Sequence, residues 1–381
     1  MTTSVIKVMA ECGGLTDIRD WVLLFTCPTD NLALYNTNKA WSETFRCKHL
    51  CIGVMPTDHD ILVSVTYAEW ALSIGWRWST SQRKQALCIA AVARSGKLDV
   101  LQWARQKEFS WDETLTCKSA ARGGHLAVLQ WARQNECRWN EGTCASAARG
   151  GHLAVLQWAR QKGCRWSLET CANASKGGHL TTLQWVRDND CPWNEGTCAN
   201  AALGGHLDVL QWARLKGCRW NAYTCTSAAR GGHMAVLQWA RENGCRWDKQ
   251  TCTAAAESGH LEVLKWAHEN GCPWDALTCR YAAERGDLAM LQWAHAKKCP
   301  WDEYTCAYAA KGGHLATLQW ARNNGCPWDE DTCANAADDG HLDVLQWARG
   351  NGCPWDSYTR ESAVNGGHMS VIEWICQNGC P

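Results

Sequence analysis

The chain has 381 residues, and its 38 Lys and Arg residues balance its 38 Asp and Glu residues, so that the formal net charge is zero. This balance argues against a protein dedicated to binding nucleic acid or a charged membrane surface. No apolar run approaches the length that spans a bilayer, and the segment from Val5 to Ala10 is too short for a signal peptide. We therefore predict an intracellular protein, cytoplasmic or nuclear, with no nucleic-acid partner and no membrane partner.

Residues 1–56 differ in pattern from the rest of the chain. They contain short apolar stretches that are compatible with helices, and Pro28 separates these stretches. One interpretation is a small helical N-terminal cap on the repeats described below. The other is an F-box-like segment, which these residues resemble in the order of apolar helix, Asp-Leu and late Trp, although Thr16 stands where that family prefers Pro. The resemblance implies docking on the adaptor subunit of a cullin-type ubiquitin ligase through residues near Leu15, Ile18, Leu32 and Trp41.

Residues 79–381 repeat a unit of 27 residues, of which the copy from Asp302 to Trp328 is the best preserved. Residues 57–78 are interpreted as a degenerate copy, because Tyr67 to Trp78 aligns with Val155 to Trp166. A fixed period in this range is typical of a solenoid, in which each repeat contacts only its neighbours. The repetition also explains the content of 25 Cys and 26 Trp, because a typical unit carries two of each.

Each unit has the pattern of two short helices, A and B. In the best-preserved copy, Asp302 is the expected N-cap of helix A, and Gly312 is its expected end. Helix B is expected to begin at His314 and to carry its apolar residues on one wide face, and Gly325 follows it. The sequence therefore predicts an all-α protein.

The motif Thr-Cys-x-x-Ala-Ala-x-x-Gly-His-Leu-x-Val-Leu-x-Trp-Ala-x-x-x-Gly-Cys resembles the ankyrin repeat, and the resemblance covers residues 79–381. It implies an all-α, ankyrin-like helical solenoid of about eleven helix-turn-helix repeats, preceded by the small helical N-terminal cap. The unit has 27 residues rather than the 33 of the family, so the projecting hairpin is expected to shrink to a tight turn. Trp and Cys also replace the Leu and Ala of the family, which makes this a Trp- and Cys-rich variant.

The Cys residues form two columns, spaced seven residues apart as in Cys137 and Cys144. Structural zinc sites usually bring two ligands two to four residues apart, so this spacing is a weak metal signal. Phe109 replaces the first Cys of one unit and Arg360 replaces the second Cys of another, and neither side chain replaces a thiolate ligand. We predict buried apolar thiols and no metal site. The alternative is a metal- or redox-responsive Cys/His array.

Three other residue types recur once or twice in each unit. The His column, interrupted by Asp287, is predicted to tie the turn between helices A and B by hydrogen bonds. The Trp columns are predicted to belong to the core, as for Trp320 and Trp328. The Arg column, as at Arg322, is predicted to cover apolar surface with its stem while its charge stays in water. Because every candidate for chemistry is one of many copies, we predict no enzyme and no cofactor.

Three positions of helix A vary most between the copies, and their spacing of four and then three residues places them on one helical face. They read Tyr304, Tyr308 and Lys311 in one unit, whereas Cys306 and Ala309 lie on the opposite face. Tyr is a preferred anchor in binding interfaces, and ankyrin-like solenoids use this concave surface. The predicted protein-binding residues are Tyr223, Arg230, Leu277, Tyr281, Glu284, Tyr304, Tyr308, Lys311 and Tyr358.

These patterns together predict a non-enzymatic scaffold that binds a protein partner through the concave helix-A surface. If residues 1–56 are F-box-like, the scaffold is expected to act as a substrate adaptor of a ubiquitin ligase. The metal- or redox-responsive array is the alternative function.

Overall fold

The computed structural model describes residues 64–66, 68–69 and 81–380. Within them the chain forms 22 helices between Gln82 and Gln377, and no strand occurs in the described ranges. The helices alternate as helix A and helix B of eleven successive repeats, which confirms the predicted all-α repeat fold. The interpretations of residues 1–56, and of most of the degenerate copy at 57–78, fall outside the described residues.

The chain divides into two compact units, Met1–Trp166 and Ser167–Pro381. Odd-numbered helices are helices A and even-numbered helices are helices B. The first unit contains α1 (Gln82–Ser95), α2 (Leu98–Gln106), α3 (Glu113–Gly123), α4 (Leu126–Gln134), α5 (Glu141–Arg149) and α6 (Leu153–Gln161). The second unit contains α7 (Leu168–Lys176), α8 (Leu180–Asp188), α9 (Glu195–Gly204), α10 (Leu207–Leu215), α11 (Ala222–Arg230), α12 (Met234–Glu242), α13 (Lys249–Ser258), α14 (Leu261–Glu269), α15 (Ala276–Glu284), α16 (Leu288–Ala296), α17 (Glu303–Lys311), α18 (Leu315–Asn323), α19 (Glu330–Asp338), α20 (Leu342–Gly350), α21 (Ser357–Gly366) and α22 (Met369–Gln377).

Small buried residues bring the helices A of successive repeats together within each unit. The helix α17 contacts α15 and α19 on either side, and it also contacts its own helix B, α18. Cys306, Ala309 and Ala310 of α17 are fully buried, and so is Leu318 of α18. Because these helix-A side chains are small, adjacent helices approach closely and leave the larger aliphatic residues of helix B to fill the space behind them.

The ends of helix A follow the predicted capping pattern. Asn194 and Asp275 accept hydrogen bonds from backbone N–H groups two residues further on, at 3.0 and 3.1 Å. The Asp302 N–H donates to Thr305 Oγ1 at 3.4 Å, which completes a capping box with the side chain of Asp302. Asp329 also holds the N-cap position, but its side chain makes no capping hydrogen bond there. These caps fix where each repeat begins.

The His column joins one repeat to the preceding one, so the prediction of a bond within the turn is wrong. His125 donates from Nε2 to the Arg94 carbonyl at 3.0 Å, and His152 donates in the same way to the Arg122 carbonyl at 3.0 Å. The helices A lie so close at this joint that a Cβ atom on Gly123 would lie 2.2 Å from the Arg94 carbonyl oxygen. A Cβ atom on Gly124 would lie 2.5 Å from Nδ1 of His152, so the glycine leaves room for the imidazole of the following repeat.

One repeat replaces this joint with a different donor. In the repeat of α15 and α16, Asp287 stands where most other repeats carry His, and its side chain accepts a hydrogen bond from the Met290 N–H at 2.9 Å. Arg285 donates from Nη1 to the Glu257 carbonyl at 3.3 Å. The same type of carbonyl, at the end of the preceding helix A, is therefore held by an arginine instead of a histidine.

The thiols of both Cys columns are buried, as predicted. The Sγ of Cys144 lies 3.9 Å from the Cys164 carbonyl oxygen, so the neighbouring Cys in space is twenty residues away rather than seven. Burial is the main cause that raises the pKa of Cys117 to about 12, which keeps this thiol protonated and unreactive. No group of three or more His, Cys, Asp or Glu side chains in the described ranges is placed to hold a metal ion. This burial does not favour the metal- or redox-responsive alternative.

The Trp columns form a mostly half-buried outer layer, whereas the sequence predicted core positions. Among the described Trp residues, Trp103 is buried as predicted. Trp139 packs edge-on against Trp158 of the next repeat, with ring centroids 5.7 Å apart. The guanidinium of Arg133 lies over the ring of Trp139, with its Cζ atom 4.5 Å from the ring centroid. Arg160 repeats this arrangement and donates to the Cys164 carbonyl at 2.9 Å. The guanidinium groups of the Arg column therefore stack on indole rings by cation–π attraction, whereas the sequence analysis predicted that these charges stay in water.

No helix of the described residues combines the length and the apolar character that crossing a membrane requires.

Candidate functional site

The nine predicted binding residues lie on four helices A of the second unit. Tyr223 on α11, Tyr304 on α17 and Tyr358 on α21 are 58%, 39% and 54% exposed. Leu277 and Tyr281 on α15 are half-buried, as is Tyr308 on α17. All three exposed tyrosines occupy the same position of their repeats, the first of the variable positions on helix A.

The structure brings four of the predicted residues together where α15 faces α17. The Tyr281 and Tyr308 rings pack edge to face, with centroids 6.0 Å apart and planes at 85°. Lys311 Nζ lies 2.8 Å from Glu284 Oε1 and 5.7 Å from the centroid of the Tyr308 ring. We call Tyr281, Glu284, Tyr308 and Lys311, together with Tyr304, the tyrosine cluster.

Titration properties follow from these contacts. The hydrogen bond from Lys311 to Glu284 is the main cause that raises the pKa of Lys311. Burial is the main cause that raises the pKa of Tyr281, and the charge of Glu257 adds to it. At neutral pH the cluster therefore carries a charged Lys311, which is paired with Glu284, and a protonated Tyr281 phenol that can donate a hydrogen bond.

Arg280 is a residue of this site that the sequence analysis missed. It donates to both carboxylate oxygens of Asp302, with Nε 3.0 Å from Oδ1. Its Cζ atom also lies 4.5 Å from the centroid of the Tyr304 ring, so it holds the exposed tyrosine from below. The hydrogen bond to Asp302 is the main cause that raises the pKa of Arg280. The signal was present, because the equivalent position in most repeats holds Ala or Thr, as in Thr253 and Ala307.

The remaining predicted residues are not part of the tyrosine cluster. Tyr223 and Arg230 lie on α11, two repeats before α15, and Arg230 Nη2 pairs with Glu257 Oε2 at 3.0 Å. Tyr358 lies on α21, two repeats after α17. The predicted surface therefore consists of one dense cluster and outlying tyrosines on the same type of helix.

Several of the charged side chains on this face are already paired with one another. Arg280 with Asp302 and Lys311 with Glu284 each link two successive repeats. Such pairs hold long side chains in one rotamer. Because the charges are already neutralised within each pair, a ligand does not need to supply an opposite charge. The arrangement is suited to recognising a surface by shape, aromatic contact and hydrogen bonding.

One part of the repeat array matches a known family model. Residues 252–295 match the family model described as ankyrin repeats in many copies, as the resemblance in the sequence predicted. Comparison with the curated proteins gives no match.

Among solved structures, the human ASB11 ankyrin repeat domain is 16% identical, with 42% of this chain and 84% of that chain covered and a TM-score of 0.33. The pentatricopeptide repeat protein PPR10 in complex with an 18-nt psaJ RNA element is 13% identical, with a TM-score of 0.36. That match covers 94% of this chain and 64% of the PPR10 chain. PPR10 from maize is 14% identical, with 97% and 64% covered and a TM-score of 0.34.

Proposed function

We propose that the chain is a non-enzymatic protein-binding scaffold and that the tyrosine cluster is the centre of its binding surface. The observation that carries the proposal is the packing of Tyr281 against Tyr308, with Tyr304 exposed beside them over Arg280. Large aromatic residues with a polar tip dominate the binding energy of protein interfaces. Ankyrin repeats are in general interaction modules, which supports the same function.

The cluster is held in place before any partner arrives. Two ion pairs, Arg280 with Asp302 and Glu284 with Lys311, cross from one repeat to the next beneath and beside the rings. A side chain that is already ordered loses less conformational entropy on binding, which otherwise costs about 1 kcal/mol for each flexible side chain. Less of the binding free energy contributed by the tyrosines is therefore lost to ordering the side chains.

The geometry also indicates what the partner presents. Because Arg280 and Lys311 are neutralised by their own acids, the partner surface does not need to be strongly charged. Phenol groups donate hydrogen bonds to backbone carbonyls, and their rings accept apolar side chains. We expect a protein segment with an apolar anchor and accessible backbone, bound across α15 and α17.

Replacement of Tyr304 and Tyr308 tests this proposal. In a cross-linking pull-down, we expect the Tyr304→Ala and Tyr308→Ala double variant to lose the protein captured by the unchanged chain. The matched control is Leu215→Ala, which removes a side chain that is 82% exposed on a helix B of the same unit and leaves the cluster intact. The melting curve should change little, because lost packing between Tyr308 and Tyr281 costs about 1 kcal/mol. If the double variant captures the same protein as before, the binding centre lies elsewhere.

The proposal extends to residues 1–56 as an F-box-like adaptor segment that docks on a cullin-type ubiquitin ligase. Its support is the order of sequence features around Leu15, Ile18, Leu32 and Trp41. Deletion of residues 1–56 is expected to remove the ligase subunits from the captured proteins and to retain the partner bound by the tyrosine cluster. Loss of neither set, or of both together, would contradict a separate docking role.

A further inference from the structure

The helix-A face of the first unit carries a column of arginines instead of a tyrosine cluster. Arg94 on α1, Arg122 on α3 and Arg149 on α5 occupy the position that Lys311 holds on α17. Arg94 and Arg122 are exposed, and Arg149 is half-buried. The pKa of Arg122 is lowered first by partial burial and then by the positive charges of Arg149 and Arg94. Arg122 therefore has a like charge on the helix before it and on the helix after it, and we call these three residues the arginine column.

The backbone beneath the column is fixed by the inter-repeat joints. The Arg94 carbonyl accepts from His125, and the Arg122 carbonyl accepts from His152, each at 3.0 Å. Helices packed side by side lie about 9 Å apart, so the charges repeat at about that interval. Like charges held at a fixed spacing repel one another, and a ligand with the complementary spacing relieves this repulsion.

The neighbouring positions on the same face are small or aliphatic. The positions equivalent to Tyr308 hold Ala91, Ser119 and Ser146. At the position equivalent to Tyr304, Leu87 is 54% exposed. Single-stranded nucleic acids are normally bound by stacking of bases on aromatic side chains along a basic groove. Here the positions beside the column offer no ring for stacking, which favours a peptide over a nucleic acid.

Lys118 adds a further positive charge to this face. It occupies the helix-A position of Arg280, and its Cε atom lies 2.4 Å from where a Cβ atom of Gly142 would stand. The lysine therefore extends across the next repeat, over the position where the second unit carries an exposed tyrosine. The helix-A face of the first unit is therefore basic at the repeat position where the helix-A face of the second unit carries Tyr304.

We infer that the arginine column binds an acidic, extended segment of a protein partner. Residues in an extended chain rise by about 3.3 Å each, so acidic residues three positions apart lie about 10 Å from one another and match the spacing of the column. An apolar residue of the same segment packs on Leu87. This surface is separate from the tyrosine cluster and does not depend on the function proposed for it.

A binding titration with the full chain tests the inference. The probe is a fluorescent extended peptide with Glu at every third position, and its companion carries Gln at those positions. A labelled single-stranded RNA of similar length is titrated in parallel. Two chain variants are compared, Arg94→Gln with Arg122→Gln, and Arg138→Gln with Arg165→Gln. The second variant removes the same charge from exposed sites of the same unit, where the Arg138 side chain is 89% exposed.

We expect the Glu peptide to bind, the Gln peptide to bind at least tenfold more weakly, and added salt to weaken the Glu complex. Loss of two exposed ion pairs should weaken the Glu complex about tenfold in the column variant and leave the control variant nearly unchanged. An Arg94→Lys with Arg122→Lys variant should retain most of the affinity, which separates lost charge from a disturbed fold. Equal loss in both Gln variants, equal binding of both peptides, no binding of the Glu peptide, or tighter binding of the RNA would each overturn the inference.

Discussion

The helix-A faces of α3 and α5 in the first unit and of α15 and α17 in the second are built on the same scaffold and have opposite chemistry. In the first, Arg122 is surrounded by like charges, and Lys118 extends over Gly142. In the second, Lys311 is paired with an acid of the preceding repeat, and Arg280 supports an exposed ring. The difference shows that the surface residues of a repeat vary without a change in the residues that hold the repeats together.

The common scaffold explains how this independence arises. Cys117, Ala120 and Ala121 of α3 are fully buried, and so are their counterparts Cys279 and Ala282 of α15. The variable positions lie on the other side of the same helices, where the first and third are exposed or half-buried and the middle one is buried in some repeats, as at Ser227 and Ala254. A substitution at an exposed variable position should therefore change the free energy of unfolding little.

The largest expected effect would test whether the two cores are equivalent. Leu129 of α4 and Leu291 of α16 are both fully buried at the same position of their repeats. Truncation of each to Ala should lower the free energy of unfolding by about 3 kcal/mol, because a cavity forms in a packed core. Urea denaturation measures the free energy of unfolding of each variant, and hydrogen exchange shows which of the two units has lost stability. Costs that differ by more than about 2 kcal/mol would show that the scaffolds are not equivalent.

A smaller effect should separate the two side chains that cross to the next repeat. Arg280→Ala removes the ion pair with Asp302 and the contact with the Tyr304 ring. The side chains of Arg280 and Asp302 are 22% and 26% exposed. We expect a loss of about 1 kcal/mol in the free energy of unfolding. Lys118→Ala, the matched change in the first unit, should cost less than about 0.5 kcal/mol. Equal losses in thermal or urea melts would contradict the proposed supporting role of Arg280.

The smallest effect should differ in sign between the two faces. Lys311→Gln removes a partner of Glu284 and should destabilise the chain by about 0.5 kcal/mol. Arg122→Gln relieves the repulsion from Arg94 and Arg149 and should stabilise the chain by about 0.3 kcal/mol. Urea melts at low and high salt measure both, and the two differences should shrink as salt increases.

The Lys311 effect should also depend on pH. Because Glu284 raises the pKa of Lys311 above its ordinary value of 10.5, the pair contributes its full stability below pH 10.5. That contribution disappears as the pH rises through the raised pKa, so the unchanged chain and Lys311→Gln should converge there. A difference that persists at higher pH would mean that Lys311 acts through packing instead of charge.

The sequence predicted most of what lies inside one repeat. The caps at Asn194 and Asp275, the two helices and the burial of the thiols follow from local patterns with a period of 27 residues. The position of the variable residues on one face of helix A also followed, because residues four and seven apart share a face.

Contacts between repeats were harder to predict, because they join residues that are close only after stacking. His152 was assigned to its own turn, yet its bond reaches the carbonyl of Arg122, thirty residues earlier. Arg280 was overlooked because its position holds Ala or Thr in most repeats and was not among the three positions that vary most. The Trp rings were assigned to the core, although Trp139 and Trp158 are only half-buried and Arg133 covers the ring of Trp139.

The joint made by the His column has a consequence for how such a chain can lengthen. The repeat of α3 and α4 supplies an imidazole toward the preceding repeat, through His125, and a carbonyl toward the following one, through Arg122. A tandem duplication of one 27-residue stretch therefore carries both halves of the connection, and the inserted copy fits on either side without compensating mutations. Gene duplication can then supply new faces for selection, each with a side-chain set that is free to diverge.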